Sequence, residues 1–180
     1  MNKMMKSILL SIVSAFCCLA GYAGNPTIIF QTSRATGIPA TLKVRLAEPG
    51  KINVDWGDGT IREYAVGTES SIVEGPIAGK VVKIYGSGVI FFDCTDNDII
   101  DLDVATATEL QQLYCGKNLL EAIDVSANRE LVRLGCNNNR IPTLSLRNNS
   151  KLTGLYLQDN RMNATSLNAI FGELPRRPRT

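Results

Sequence analysis

From residue 89 onward the apolar positions recur with a step of 21 residues. Val89, Leu110, Leu131 and Leu152 open four units, and Phe92, Leu113, Leu134 and Leu155 follow. Cys94, Cys115 and Cys136 come next, with Leu157 in their place in the fourth unit, and Asn97, Asn118, Asn139 and Asn160 keep the same step. A fixed period that short means one small structural unit stacked on itself. Side chains alternate along a strand, so Phe92/Cys94, Leu113/Cys115, Leu134/Cys136 and Leu155/Leu157 face one interior on parallel strands ~4.8 Å apart. Each ladder asparagine falls where the chain leaves the strand, and its amide can both donate to and accept from backbone groups that the turn strands. The second half of each unit repeats as Ile99, Leu102, Val104, then Leu120, Ile123, Val125, then Ile141, Leu144, Leu146, and supplies the opposite wall. Asn128 and Asn149 hold the return turns.

The pattern changes at both ends of this stretch. After Met162, Leu167, Ile170, Phe171 and Leu174 follow the spacing of one helix face. Ser166 is the expected N-cap, Pro175 the stop, and the helix should cover the open end of the core. Before residue 88 the alternation is that of strands: Leu42, Val44 and Leu46 against Lys43 and Arg45, then Ile52, Val54 and Trp56 against Asn53 and Asp55, then segments 61–66, 71–73 and 81–85. Short strands with Gly and Pro between them predict a small sandwich, whose edge gives the first repeat a partner.

Residues 1–23 read differently again. Lys3 and Lys6 precede an apolar run from Ile8 to Ala20 and the small-x-small triplet Gly21-Tyr22-Ala23, which is a secretory leader with a mature start at Gly24. The run is too short for a stable membrane span, which needs ~20 residues. Phe16 before Cys17 argues against a lipid anchor at Cys17 or Cys18. The chain has 19 basic and 17 acidic residues, and setting the leader aside leaves 17 of each. A balanced charge argues against a nucleic-acid partner.

The unit L-x-x-L-x-C-x-x-N resembles the repeat of secreted bacterial leucine-rich-repeat proteins, in which such units follow a small β domain. The string V-D-W-G-D-G-T at 54–60 resembles the tight hairpin of PKD-type immunoglobulin-like domains, with Trp56 in the core and Asp58-Gly59 supplying the positive φ of a two-residue turn. Together with the leader read at 1–23 and the basic tail at 176–180, the resemblance implies a PKD-like β domain at 24–87 and a repeat solenoid at 88–175. The expected fold class is mostly β, a sandwich followed by about four repeats and a short capping helix.

The chain contains no histidine, which removes Ser-His-Asp, Cys-His and His-ligated zinc arrangements. No phosphate-binding glycine loop is present, and no cofactor is expected. The ladder cysteines read as buried packing residues rather than as a thiolate metal site or disulfides, because Leu157 fills the same position. Asp55, Asp58, Asp93 and Asp96 are turn and surface residues before they are calcium ligands. Function therefore moves to the outward positions of the repeat strands, where Phe91, Asp93, Gln112, Tyr114, Arg133, Tyr156 and Gln158 share one surface. The column Asp93, Tyr114, Gly135, Tyr156 sets two tyrosines about a glycine gap. Aromatic and Arg groups on a rigid sheet are the usual anchors of recognition. The expectation is a secreted or cell-surface, monomeric, non-enzymatic module binding a protein or carbohydrate; the alternative is a spacer or a piece of a longer surface protein.

Overall fold

The computed structural model describes residues 24–174. The expected leader, the stop at Pro175 and the basic tail lie outside the described residues. Among those described, eleven strands and one helix follow in order: β1 (Ile28–Thr32), β2 (Pro39–Leu46), β3 (Gly50–Asp55), β4 (Ile61–Val66), β5 (Ser71–Pro76), β6 (Val81–Tyr85), β7 (Val89–Asp93), β8 (Ile99–Asp103), β9 (Gln112–Tyr114), β10 (Arg133–Gly135), β11 (Gly154–Tyr156) and α1 (Ala164–Glu173). The fold is mostly β, as the alternation and the period predict. Two sheets form, a five-stranded one in the order β4-β3-β6-β1-β8 and a six-stranded one in the order β11-β10-β9-β7-β2-β5. The repeat strands β7, β9, β10 and β11 run parallel, one per unit.

Both sheets continue across residues 87 and 88. The first repeat strand β7 pairs antiparallel with β2, and the return of the same unit, β8, pairs antiparallel with β1. One apolar cluster consequently runs from Ile28 and Trp56 through the repeats to Ile170. The predicted inward pairs Phe92/Cys94, Leu113/Cys115 and Leu134/Cys136 are fully buried, and the return sets from Ile99 to Leu146 complete the wall. At the last unit Leu155 and Leu157 are only half-buried.

The asparagine ladder explains how the units stay in register. Asn118 accepts from the backbone N–H of Asn97 and Ile99 at 3.0 Å each, and its Nδ2 donates to the carbonyls of Cys94, Cys115 and Gly116. Asn139 bridges Leu120 to Cys115 and Cys136 in the same way, and Asn160 bridges Ile141 to Cys136 and Leu157. Asn97 has no repeat before it and instead exchanges two bonds with Thr41 of β2, at 3.1 and 3.0 Å. That joins the ladder to the sandwich. On the return side Asn128 donates to Val104 and Ala107, and Asn149 to Val125 and Asn128.

The residue before each ladder asparagine takes a left-handed conformation: Asp96, Lys117, Asn138 and Asp159 have φ between 51° and 61°. Asp and Asn tolerate this region through local hydrogen bonding, whereas a long side chain meets the carbonyl-to-Cβ contact without that relief. Lys117 is thus the least suited of the four. Lys117→Asn should raise stability by about 0.5–1 kcal/mol, read by denaturant unfolding; an unchanged midpoint would show that the turn relaxes around lysine.

Two local expectations are corrected. The β3–β4 hairpin is not a two-residue turn, because Asp55 pairs with Ile61 and five residues lie between them. Positive φ falls on Gly57 (106°) and Gly59 (75°), not on Asp58. The Asp55 carboxylate accepts from the N–H of both glycines and shapes the longer loop, and a Cβ on Gly57 would lie 2.5 Å from the backbone of Gly79. Trp56 is in the core as expected, with its Nε1 donating to the Tyr64 hydroxyl at 2.9 Å. The second correction concerns α1. Its N-cap is Asn163, whose side chain accepts from Ser166 N–H while the Ser166 hydroxyl accepts from Asn163 N–H, so Ser166 is the third helical residue of a capping box. Of the expected apolar face only Ile170 is fully buried, and Phe171 is 58% exposed.

Candidate functional site

The strand register sorts the outward side chains of the six-stranded sheet into rows. Arg45, Phe91, Gln112, Arg133 and Gly154 form one row, and Lys43, Asp93, Tyr114, Gly135 and Tyr156 the next. Gln158 is exposed just beyond the end of β11. The seven residues singled out from the sequence therefore share one face.

Within the face, large side chains lean over smaller neighbours on the following strand. The Phe91 and Tyr114 rings meet at 5.8 Å between centroids with a 51° tilt, and the Arg45 guanidinium lies 5.5 Å from the Phe91 centroid. A Cβ on Gly135 would approach Tyr114 Cδ1 to 2.7 Å, and one on Gly154 would approach Arg133 Cγ to 3.2 Å. The glycine gap expected between the tyrosines is thus filled: the Tyr114 ring covers Gly135, which is buried. Tyr156 has no such neighbour and stays 48% exposed.

Asp93, the carboxylate of the repeat strands on this face, is already engaged. One oxygen accepts from Thr95 N–H at 3.0 Å and the other lies 3.5 Å from Lys43 Nζ. Lys43 and Arg45 were legible as outward residues of their strand, but their sheet was not. Only the β2–β7 pairing, a contact between segments nearly fifty residues apart, places them beside the repeats.

The other candidate chemistry resolves into structure. Asp58 pairs with Arg62 at 2.7 Å and accepts from Thr60 N–H, contacts that hold its carboxyl far below the usual carboxylate range. Asp96 occupies a ladder turn. Among the described residues no three His, Cys, Asp or Glu side chains converge as metal donors. Cys94, Cys115 and Cys136 are free thiols, and burial pushes all three up, Cys136 to about 12. A thiol reacts as its thiolate, so these are inert at neutral pH. With a protein of residues 24–180, the native form should react with a disulfide reagent orders of magnitude more slowly than the urea-unfolded form, which should yield three thiols per chain. Rapid native labelling would place the cysteines outside the core.

No family model matches the chain, and no curated protein matches it. Among solved structures, the chain is similar to one described as the functional domain of InlJ from Listeria monocytogenes, which includes a cysteine ladder. The similarity has 24% identity and a TM-score of 0.43, and covers 48% of this chain and 19% of that one. The matched part of this chain therefore spans about a fifth of the length of that one.

Proposed function

We propose that the chain is a non-enzymatic recognition module, exported to the cell surface or beyond, that binds a protein or glycan on the outer face of the six-stranded sheet. The observation that carries this reading is the combination on one face of an exposed tyrosine, a tilted Phe91–Tyr114 ring contact and two arginines, on strands held in place by the asparagine ladder. Aromatic and Arg side chains on a rigid platform lose little entropy when a partner covers them, which is why they dominate recognition surfaces. Protein and glycan arrays probed with residues 24–180 test it. Binding that Tyr156→Ala and Tyr114→Ala both remove is the expected result; silence on every array would leave a spacer, and turnover of any arrayed substrate would overturn the non-enzymatic reading.

A further inference from the structure

The outward face carries a charge pattern that narrows the partner. Asp93 is bound to Lys43 and Thr95, so it has little left to offer the hydroxyls of a neutral ligand. The two arginines of the adjoining row are in the opposite position. Among the described residues neither Arg45 nor Arg133 has a carboxylate partner, and Arg45 Nε is buried without a hydrogen-bond partner. The Arg45 guanidinium is held against the Phe91 ring, and the aliphatic stem of Arg133 lies over Gly154 with its guanidinium exposed, so Arg45 is fixed by packing and Arg133 is anchored by its stem, neither of them by charge. A fixed guanidinium presents a donor fork that matches a carboxylate, and less entropy is lost when it is engaged. The free charge over β2, β7, β9, β10 and β11 is therefore cationic. The Glu74 carboxylate lies two strands away on the far edge strand β5.

Resting on the recognition face proposed above, we infer that its occupant is an extended acidic segment of a partner protein, crossing the strands with carboxylates on Arg45 and Arg133. The spacing sets the pattern. Arg45 and Arg133 stand in one row on β2 and β10, three strand spacings apart, or roughly 14 Å. An extended peptide rises ~3.3 Å per residue and returns to the same side every second residue, so carboxylates at positions i and i+4 reach both arginines. The side chain at i+2 then sits between them, beside the Phe91 and Tyr114 rings, and an apolar or aromatic residue fits there. The peptide pattern is acid-x-aromatic-x-acid.

The test is a titration of the isotope-labelled protein, followed by NMR, with a synthetic peptide built on Glu-Ser-Tyr-Ser-Glu. Its controls are the same residues with the two glutamates adjacent, the Gln-Ser-Tyr-Ser-Gln peptide, and polygalacturonate as a carboxylated glycan. The expected result is saturable binding below ~1 mM with shifts confined to β2, β7, β9, β10 and β11, weakened about tenfold by Arg45→Gln or Arg133→Gln and unchanged by Lys80→Gln, which alters net charge away from this face. No binding, equal binding of the adjacent-glutamate or Gln peptide, or insensitivity to both Arg substitutions would overturn the inference. Tighter binding of polygalacturonate would overturn it in favour of a glycan. If an array ligand depends on Tyr156 but not on Arg45 or Arg133, the recognition face stands and the acidic pattern falls; if nothing binds in either experiment, both fall.

Discussion

Asn118→Ala should lower the stability of the protein by about 3–5 kcal/mol, because one side chain satisfies five backbone groups in three segments. Alanine leaves the N–H donors of Asn97 and Ile99 and the Cys94 carbonyl facing a cavity, while the Cys115 and Gly116 carbonyls keep Asn139 Nδ2 and Asp96 N–H, and each buried group without a partner costs about 1–3 kcal/mol before relaxation or entry of water reduces the loss. In a protein of this size that corresponds to a fall in Tm of roughly 10 °C or more. Asn118→Asp is the sharper form of the test: it keeps the shape and the acceptor for Asn97 and Ile99, but replaces a donor to three carbonyls by a second anionic oxygen. It should be as damaging as alanine. Asn137→Ala is the control, since that half-exposed side chain makes a single bond to Asn138 and should change stability by no more than about 0.5 kcal/mol. Equal losses at 118 and 137 would show that the ladder does not hold the frame.

The repeat was legible because its signals are local and multiplied: each unit restates the alternation Leu113/Cys115 and the asparagine that follows it. The ladder geometry followed from amide chemistry alone. Less visible was what depends on contacts far apart in sequence. The alternation of β2 marked Lys43 and Arg45 as outward, yet nothing local says that β2 joins β7 rather than a neighbour in its own hairpin. The glycine at 135 looked like an opening, because its occupant, the Tyr114 ring, comes from a strand 21 residues earlier. Helix spacing placed Ile170 and Phe171 on one face, but a short helix laid across the end of a solenoid buries a narrower stripe than one packed along a sheet. The left-handed turns at Asp96, Lys117, Asn138 and Asp159 had a sequence signal in their three Asx members, hidden by the lysine.

That narrow stripe gives the last expected result. Ile170 is fully buried, at the position one repeat step after Asn149, and it plugs the end of the core where a further unit would stack. Ile170→Lys removes that plug and puts an unpaired ammonium among apolar side chains, and should cost about 4 kcal/mol or more, or drive association through the bared end. Phe171→Lys places the same ammonium at an exposed position near the helix C-terminus, where a cation is favourable, and should cost less than about 1 kcal/mol. Glu173 fixes which face turns inward. Its carboxylate accepts from Leu146 N–H at 2.7 Å, from Arg147 Nε at 2.8 Å and from the Ser145 hydroxyl at 3.1 Å, tying the end of α1 to the third return turn. These bonds, the Leu146 N–H first, hold the carboxyl below its ordinary value, so its contribution is present above the usual carboxylate range and is lost as pH falls through the lowered folded value. Glu173→Gln should therefore reduce thermal stability at pH 7, and the difference from the parent should shrink in acid below that range. Equal losses from Ile170→Lys and Phe171→Lys would mean that α1 meets the solenoid through another face, and a Glu173→Gln deficit that persists undiminished in acid would assign the anchoring to packing rather than to the carboxylate.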